Sequence, residues 1–171
     1  MHGRRVMKSL FRRVVRCWGT TSHLDWSHFL WIVSMFGILA ALETNRIGLF
    51  LIPPFGATLS ILLGIPDAAV AQPYAVVVGS VAGAGVGTVL SLFSHGSLMA
   101  IVAAVIAFGL VNLIHAYHPP GVALAMYPLL LRPGHWFPLE VVLPFTVAAV
   151  GSAAVLSRMV KSWHTYPKEL K

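Results

Sequence analysis

The chain has 171 residues, of which 57% are hydrophobic and 10% are charged, and its mean hydropathy is +0.81. A soluble domain carries about 25% charged residues, so the composition excludes an ordinary soluble domain and predicts an integral membrane protein. Twelve Lys and Arg outnumber five Asp and Glu, and the basic residues gather at the two ends of the chain. That placement is typical of contact with anionic lipid headgroups rather than with nucleic acid, and it predicts that both termini are cytoplasmic.

These end clusters divide the chain into three parts. Residues 1–24 are predicted to form a basic cytoplasmic arm, residues 25–160 the transmembrane domain, and residues 161–171 a cytoplasmic tail. The single cysteine, Cys17, excludes an internal disulfide. No sustained apolar stretch lies between Met1 and Arg16, so we expect no secretory signal peptide, although an Arg-rich start is also typical of transit peptides. The predicted location is the cell (inner) membrane, or an organellar membrane if the source is a plant.

Apolar segments follow one another through the transmembrane domain and predict an all-α fold. In chain order they cover residues 28–42, 47–65, 74–93, 98–115, 117–131 and 138–157. The first is short for the roughly 20 residues that cross a bilayer, and Trp26 and Trp31 beside it are suitable interfacial anchors.

Paired prolines interrupt the second and fifth segments at matching places. Further prolines recur at a similar offset, which predicts two internal repeats, about 27–93 and 98–158, each with a proline-broken half-helix flanked by transmembrane helices. The matched positions are Pro53 and Pro54 with Pro119 and Pro120, Pro66 with Pro133, and Pro73 with Pro138.

Two topologies satisfy cytoplasmic termini: four full spans plus two re-entrant half-helices, or six spans. Residues 119–131 would extend about 20 Å at 1.5 Å per residue, short of a bilayer core about 30 Å thick. The re-entrant arrangement is therefore the preferred prediction.

Each break is expected to start a new helix, because proline pushes the preceding residue to an extended conformation and fits the first helical turn. The free N–H groups of such a start carry positive partial charge and attract anions. This interpretation predicts solute binding at Gly56, Ala57, Thr58 and Ser60 after the first break and at Gly121 after the second. The alternative is that the prolines only kink packed helices.

No charged residue lies in the middle of an apolar segment, which favours an anion or a neutral solute over a cation. Asn112, His115 and His118 form a polar cluster just before the second break, and we expect them to contact the solute. Gln72, just before Pro73, is also predicted to belong to the solute-binding residues and to bond the chain as it re-enters the bundle.

Two cofactor alternatives follow from the histidines. His115 and His118 have a spacing that suits a metal, but no third ligand is evident. A haem held by histidines of separate helices would use His28, His95 or His115. The prediction is that the protein has neither metal nor cofactor.

Glycines recur every four residues in the third segment, at Gly79, Gly83 and Gly87. Such a stripe of small residues is typical of a helix-packing surface, within the bundle or across a dimer, with pore lining as the alternative. A bundle this small is expected to work as a homo-oligomer.

Three motifs carry a resemblance to the HPP family of integral membrane proteins. They are P-F-G-A-T at residues 54–58, I-P-D-A-A-V-A-Q-P at residues 65–73 and H-P-P-G at residues 118–121. The resemblance covers roughly residues 25–160 and implies a small bundle of four membrane-spanning helices, with nitrite transport attributed to plastid and cyanobacterial members. Other members often carry Arg-Asn where this chain has Tyr74-Ala75, a His at Ser80 and a Thr near Leu124.

Together these observations predict a transporter or channel-like permease for a small solute, with a small anion such as nitrite first. The alternative is a non-transporting accessory or assembly subunit of a membrane complex. An enzyme is not expected, because the sequence shows no nucleophile, paired carboxylates or metal set.

Overall fold

The computed structural model describes residues 25–42 and 48–168. The basic arm with Cys17, residues 43–47 and the last three residues, 169–171, lie outside this part of the chain. All regular structure in the described residues is helical. The α-helices are α1 (Trp26–Leu42), α2 (Gly48–Gly64), α3 (Pro73–Ser91), α4 (Ser97–Leu113), α5 (Pro119–Leu124), α6 (Tyr127–Leu131) and α7 (Leu143–Met159). A 3-10 turn (Ala69–Ala71) precedes α3 and a π-helical turn (Pro138–Val142) leads into α7.

The helices run alternately between two ends of the bundle. At the terminal end, defined by the start of α1 and the end of α7, lie the connections 65–72 and 114–118; at the distal end lie 92–96 and 132–137. Hydrogen bonds fix this path: Tyr74 Oη donates to Ile114 O at the terminal end, and Gly96 N to Leu129 O at the distal end.

The described residues therefore make six passes through the bundle, counting α5 and α6 as one. The segment from Pro119 to Leu131 runs from the terminal to the distal end and does not turn back. This path follows the six-pass alternative rather than the preferred re-entrant one. Two stretches, Pro73–Ser91 and Pro138–Met159, are by themselves long and apolar enough to cross a membrane.

The prediction that Pro53-Pro54 starts a new helix is wrong, because both prolines lie inside the continuous helix α2. Proline's fixed φ is compatible with a helix, although each proline lacks an N–H to donate. The helix packs tightly directly after the prolines: Phe55 is fully buried and its ring lies 4.0 Å from that of Phe145 in α7.

At Pro119-Pro120 the helix does start anew. His118 is extended, with φ −133° and ψ 111°, and α5 begins at the first proline. Pro73 and Pro138 likewise open α3 and the π-helical turn, which are equivalent places in the two predicted repeats. The repeat itself stays a prediction.

The described part of the predicted tail, residues 161–168, folds back onto the terminal end. The Trp163 ring stacks on that of His28 at 4.7 Å and its Nε1 donates to Ser27 Oγ at 2.8 Å. Tyr166 Oη donates to Ala71 O at 2.8 Å, and Lys168 N donates to Gln72 Oε1 at 3.1 Å. These contacts tie the tail to the start of α1 and to the connection before α3.

Candidate functional site

The imidazole of His118 lies inside the bundle and is fully buried. Because Pro119 follows it, its backbone is extended. Its Nδ1 lies 2.8 Å from Val70 O in the connection before α3, and its Nε2 lies 2.9 Å from Thr58 Oγ1 of α2. Three separate parts of the chain therefore meet at one ring.

Thr58 is also fully buried, and its Oγ1 lies 3.1 Å from Pro54 O, one turn earlier in α2. The Thr58 hydroxyl thus lies within hydrogen-bond distance of both the proline-containing part of α2 and His118. At 1.5 Å per residue, Thr58 lies about 9 Å from the end of α2 at Gly64, so the pair is well inside the bundle.

The donors and acceptors around His118 and Thr58 allow two arrangements of hydrogen bonds. Val70 O only accepts, so Nδ1 of His118 carries a proton. In a neutral ring Nε2 is then an acceptor, and the Thr58 hydroxyl donates to it and not to Pro54 O. In a protonated ring Nε2 donates to Thr58 Oγ1, and the hydroxyl turns to Pro54 O. The Thr58 hydroxyl therefore reverses direction when His118 gains a proton.

The glycine stripe of α3 lies directly against the chain that carries His118. A side chain at Gly79, Gly83 or Gly87 would overlap the carbonyl oxygen of Ala116, Gly121 or Ala125, respectively. A Cβ on Gly121 would in turn lie 2.6 Å from Gly79 O. Only glycine permits this approach, so the stripe sets how closely α3 and α5 pack.

The predicted anion site at paired helix starts is not formed. The first start does not exist, because Gly56 and Ala57 lie within the continuous helix α2, where N–H groups face carbonyls one turn earlier. At the second, Gly121 N donates to His118 O at 2.9 Å, and Gly121 itself is covered by α3. An anion site at a helix start needs open N–H groups, and the N–H of Gly121 is already bonded.

Other predicted site residues lie apart from His118. Ser60 is exposed on α2 and its hydroxyl bonds Gly56 O, while Asn112 is exposed on α4 and bonds Phe108 O. His115 is exposed where α4 ends, with a left-handed φ of 56°. Periodicity within an apolar helix did not reveal which side faces inward.

The side chain of Gln72, which was predicted to bind solute, is bonded to the connection before α3. Its Nε2 donates to Pro66 O at 2.9 Å and to Ala68 O at 3.2 Å, and so shapes the connection that presents Val70 O to His118. The Val70 carbonyl was missed, because a main-chain acceptor leaves no trace in the sequence.

The histidines considered as cofactor ligands are not brought together. His28 bonds Asp25 at the terminal end, His95 lies in the distal connection, and His115 is at the end of α4. Among the described residues, no group of three or more His, Cys, Asp or Glu side chains is placed to hold a metal ion.

Comparison with known proteins gives one finding. The family model for the HPP transmembrane region matches residues 20–167, while no curated protein and no solved structure matches the chain. The match confirms the resemblance carried by the three motifs, two of which supply Thr58 and His118. Because the match covers most of its length, the chain belongs to the HPP family of integral membrane proteins.

Proposed function

We propose that this protein is a membrane transporter or channel-like permease for a small solute, most suitably a small anion such as nitrite. The observation that carries the proposal is the buried His118 imidazole, with Val70 O on one nitrogen and Thr58 Oγ1 on the other. Polar and titratable groups inside a membrane protein are costly, and they typically mark solute or proton pathways.

The imidazole supplies what a small anion needs. In the protonated ring Nε2 carries a proton, and this N–H and the Thr58 hydroxyl can both donate to an oxyanion. An entering anion would take the place of the Thr58–His118 hydrogen bond and would favour the protonated ring. His118 and Thr58 replace the open helix starts in the proposed mechanism.

The proposal includes the topology of the protein in the membrane. We infer six spans arranged as two inverted repeats of three, with both termini cytoplasmic. The basic residues at both ends, including Arg158 and Lys161, support contact with anionic headgroups at the terminal end. Homo-oligomer formation is part of the proposal, and no catalytic role is proposed.

The close contact of the α3 glycines with α5 favours one rival from another class. A bundle closed in this way also suits a non-transporting accessory or assembly subunit, in which Thr58 and His118 only hold helices together. The rival predicts that losing the pair harms assembly and has no separate effect on flux.

The test is anion uptake into proteoliposomes that contain the purified full-length protein. Nitrite, nitrate, formate and chloride are compared for the wild type, His118→Ala and Thr58→Val, with reconstitution checked by the amount and oligomeric state of inserted protein. The permease is supported if the wild type takes up an anion selectively and both variants lose this uptake while they assemble normally. No uptake above empty liposomes for any anion contradicts it and leaves the accessory subunit.

A further inference from the structure

Two buried hydroxyl groups of α3, those of Ser80 and Thr88, have no hydrogen-bond partner among the described residues. Ser80 is fully buried and Thr88 is 8% exposed. A buried hydroxyl without a partner is costly, so each such group in a native protein calls for an explanation.

Other serines and threonines of these helices avoid that cost. Their hydroxyls bond a carbonyl one turn earlier in the same helix, the usual solution in an apolar environment. This holds for Ser34, Ser60, Thr146 and Ser152. Ser80 and Thr88 depart from this pattern.

Ser80 also lies where α3 meets the start of α5. It shares a helix face with Gly83 and Gly87, at the i, i+3 and i+7 positions, and these glycines contact the chain of Gly121 and Ala125. A Cβ on Gly121 would lie 3.0 Å from Ser80 Cα, and one on Gly79 would lie 3.2 Å from His118 Cβ. The backbone of Ser80, which carries the buried unpaired hydroxyl, therefore lies beside the turn that holds His118 and Gly121.

We propose that Ser80 is a further solute-binding residue, whose hydroxyl donates a hydrogen bond to a small oxyanion when the seam between α3 and α5 opens. The inference rests on the proposed permease function and extends its site from α2 and the 118 turn to α3. No bond is made or broken in this step, because the hydroxyl acts only as a donor. Its lack of a protein partner keeps it available to the solute.

Thr88 provides the comparison within the same helix. It too lacks a partner, but it lies eight residues further toward the distal end, beyond the turn that holds Gly121. Any general effect of removing an unpaired hydroxyl from α3 should appear equally in Thr88→Ala and Ser80→Ala.

The first experiment measures whether solute and water reach this position. In a Cys17→Ser background, Ser80→Cys is compared with Thr146→Cys, a fully buried position of α7 whose hydroxyl is bonded. Both are reconstituted at full length and exposed to a small water-soluble methanethiosulfonate, with and without nitrite. We expect the thiol at position 80 to be modified and the thiol at position 146 to stay unmodified. Saturating nitrite should slow the modification at position 80 at least about tenfold.

Modification at 80 no faster than at 146 would overturn the inference, and so would modification that none of the four anions slows. The second experiment keeps the test open if the cysteine variant folds poorly. Ser80→Ala is expected to weaken the apparent affinity for nitrite about tenfold, the usual scale for a lost hydrogen bond to a charged ligand, while Thr88→Ala leaves it unchanged.

The outcomes separate the two proposals. If the wild type transports an anion and Ser80→Ala has the same apparent affinity for it, the role of Ser80 is refuted and the permease proposal stands. A wild type without flux for any of the four anions refutes the permease. In that case the modification of the Ser80→Cys thiol tests the role of Ser80 separately. Modification that an anion slows supports a binding site at Ser80, and absence of modification overturns it.

Discussion

The hydroxyl oxygen of Thr58 lies 2.9 Å from Nε2 of His118, although 60 positions separate the two residues. Thr58 closes the P-F-G-A-T motif and His118 opens the H-P-P-G motif, so the two short family motifs meet in one hydrogen bond. Val70, from the third motif, accepts from the other ring nitrogen. A single buried imidazole thus joins the three motifs.

Replacement of Thr58 by Val should destabilise the bundle, because it leaves Nε2 of a buried ring without a partner. The expected loss is about 1–3 kcal/mol of unfolding free energy. Thr58→Ser keeps the hydroxyl and should recover most of it. Thermal unfolding in detergent measures both; a Thr58→Val variant as stable as the wild type would show that the bond is not maintained.

Gly83→Ala should be far more damaging, because its Cβ would overlap the carbonyl oxygen of Gly121 and push α3 away from α5. We expect a loss of several kcal/mol, within the range of severe overpacking. Gly85→Ala is the matched control, since nothing lies within 4 Å of an added Cβ there, and alanine favours a helix by up to about 1 kcal/mol. Equal effects of the two substitutions on the unfolding midpoint and on the monodisperse yield would contradict this packing.

The sequence predicted the helices well, because each apolar run ends at a proline or a polar turn. Pro73 and Pro138 mark real helix starts, as does Pro119. The prediction failed at Pro53-Pro54, because a proline pair is compatible with both a helix start and a helix interior. The choice between them depends on tertiary packing, here Phe55 against Phe145, which local sequence does not contain.

The site was predicted only in part for a related reason. Helices that are apolar all round give little sign of which side faces inward, so Asn112 and Ser60 could not be told from Thr58. Buried acceptors of the main chain, such as Val70 O, have no sequence signature. The tail was missed because its composition is polar, and only Trp163 and Tyr166 hinted that it packs.

Asp25 caps α1, since its Oδ1 accepts from Ser27 N at 2.9 Å and lies 3.0 Å from His28 Nδ1. Hydrogen bonds from Ser162 and then Ser27 hold the pKa of this carboxyl well below its usual range. Because the folded-state pKa is lowered, the stabilisation is present above the ordinary value of about 4 and is lost as the pH falls below it.

Asp25→Asn should therefore lower the unfolding midpoint modestly at pH 7 and remove the part of the acid sensitivity that Asp25 contributes below pH 4. Asp67→Asn makes the same charge change at an exposed residue of the same end and serves as the control. Unfolding midpoints collected from pH 3 to pH 7 decide the matter. An Asp25→Asn curve parallel to that of the wild type would contradict the capping role.

Tyr166→Phe removes the hydroxyl that donates to Ala71 O, the carbonyl next to the one that holds His118. We expect a loss of about 1 kcal/mol, and faster amide exchange in residues 65–72 than in the wild type, because the tail no longer fixes this connection. Tyr127→Phe removes a hydroxyl without a hydrogen bond in the described part of the chain and should leave this exchange unchanged.

The same contact predicts an alkaline limit. Burial raises the pKa of Tyr166, so the docked tail is stabilised throughout the neutral range, and that stabilisation is lost only as the pH rises above the ordinary tyrosine value of about 10. Tyr166→Phe cannot ionise and should lack this alkaline step. The amide hydrogens of residues 65–72 could be equally protected from exchange in Tyr166→Phe and in the wild type at pH 7. That result would mean that the tail packs on this connection without holding it.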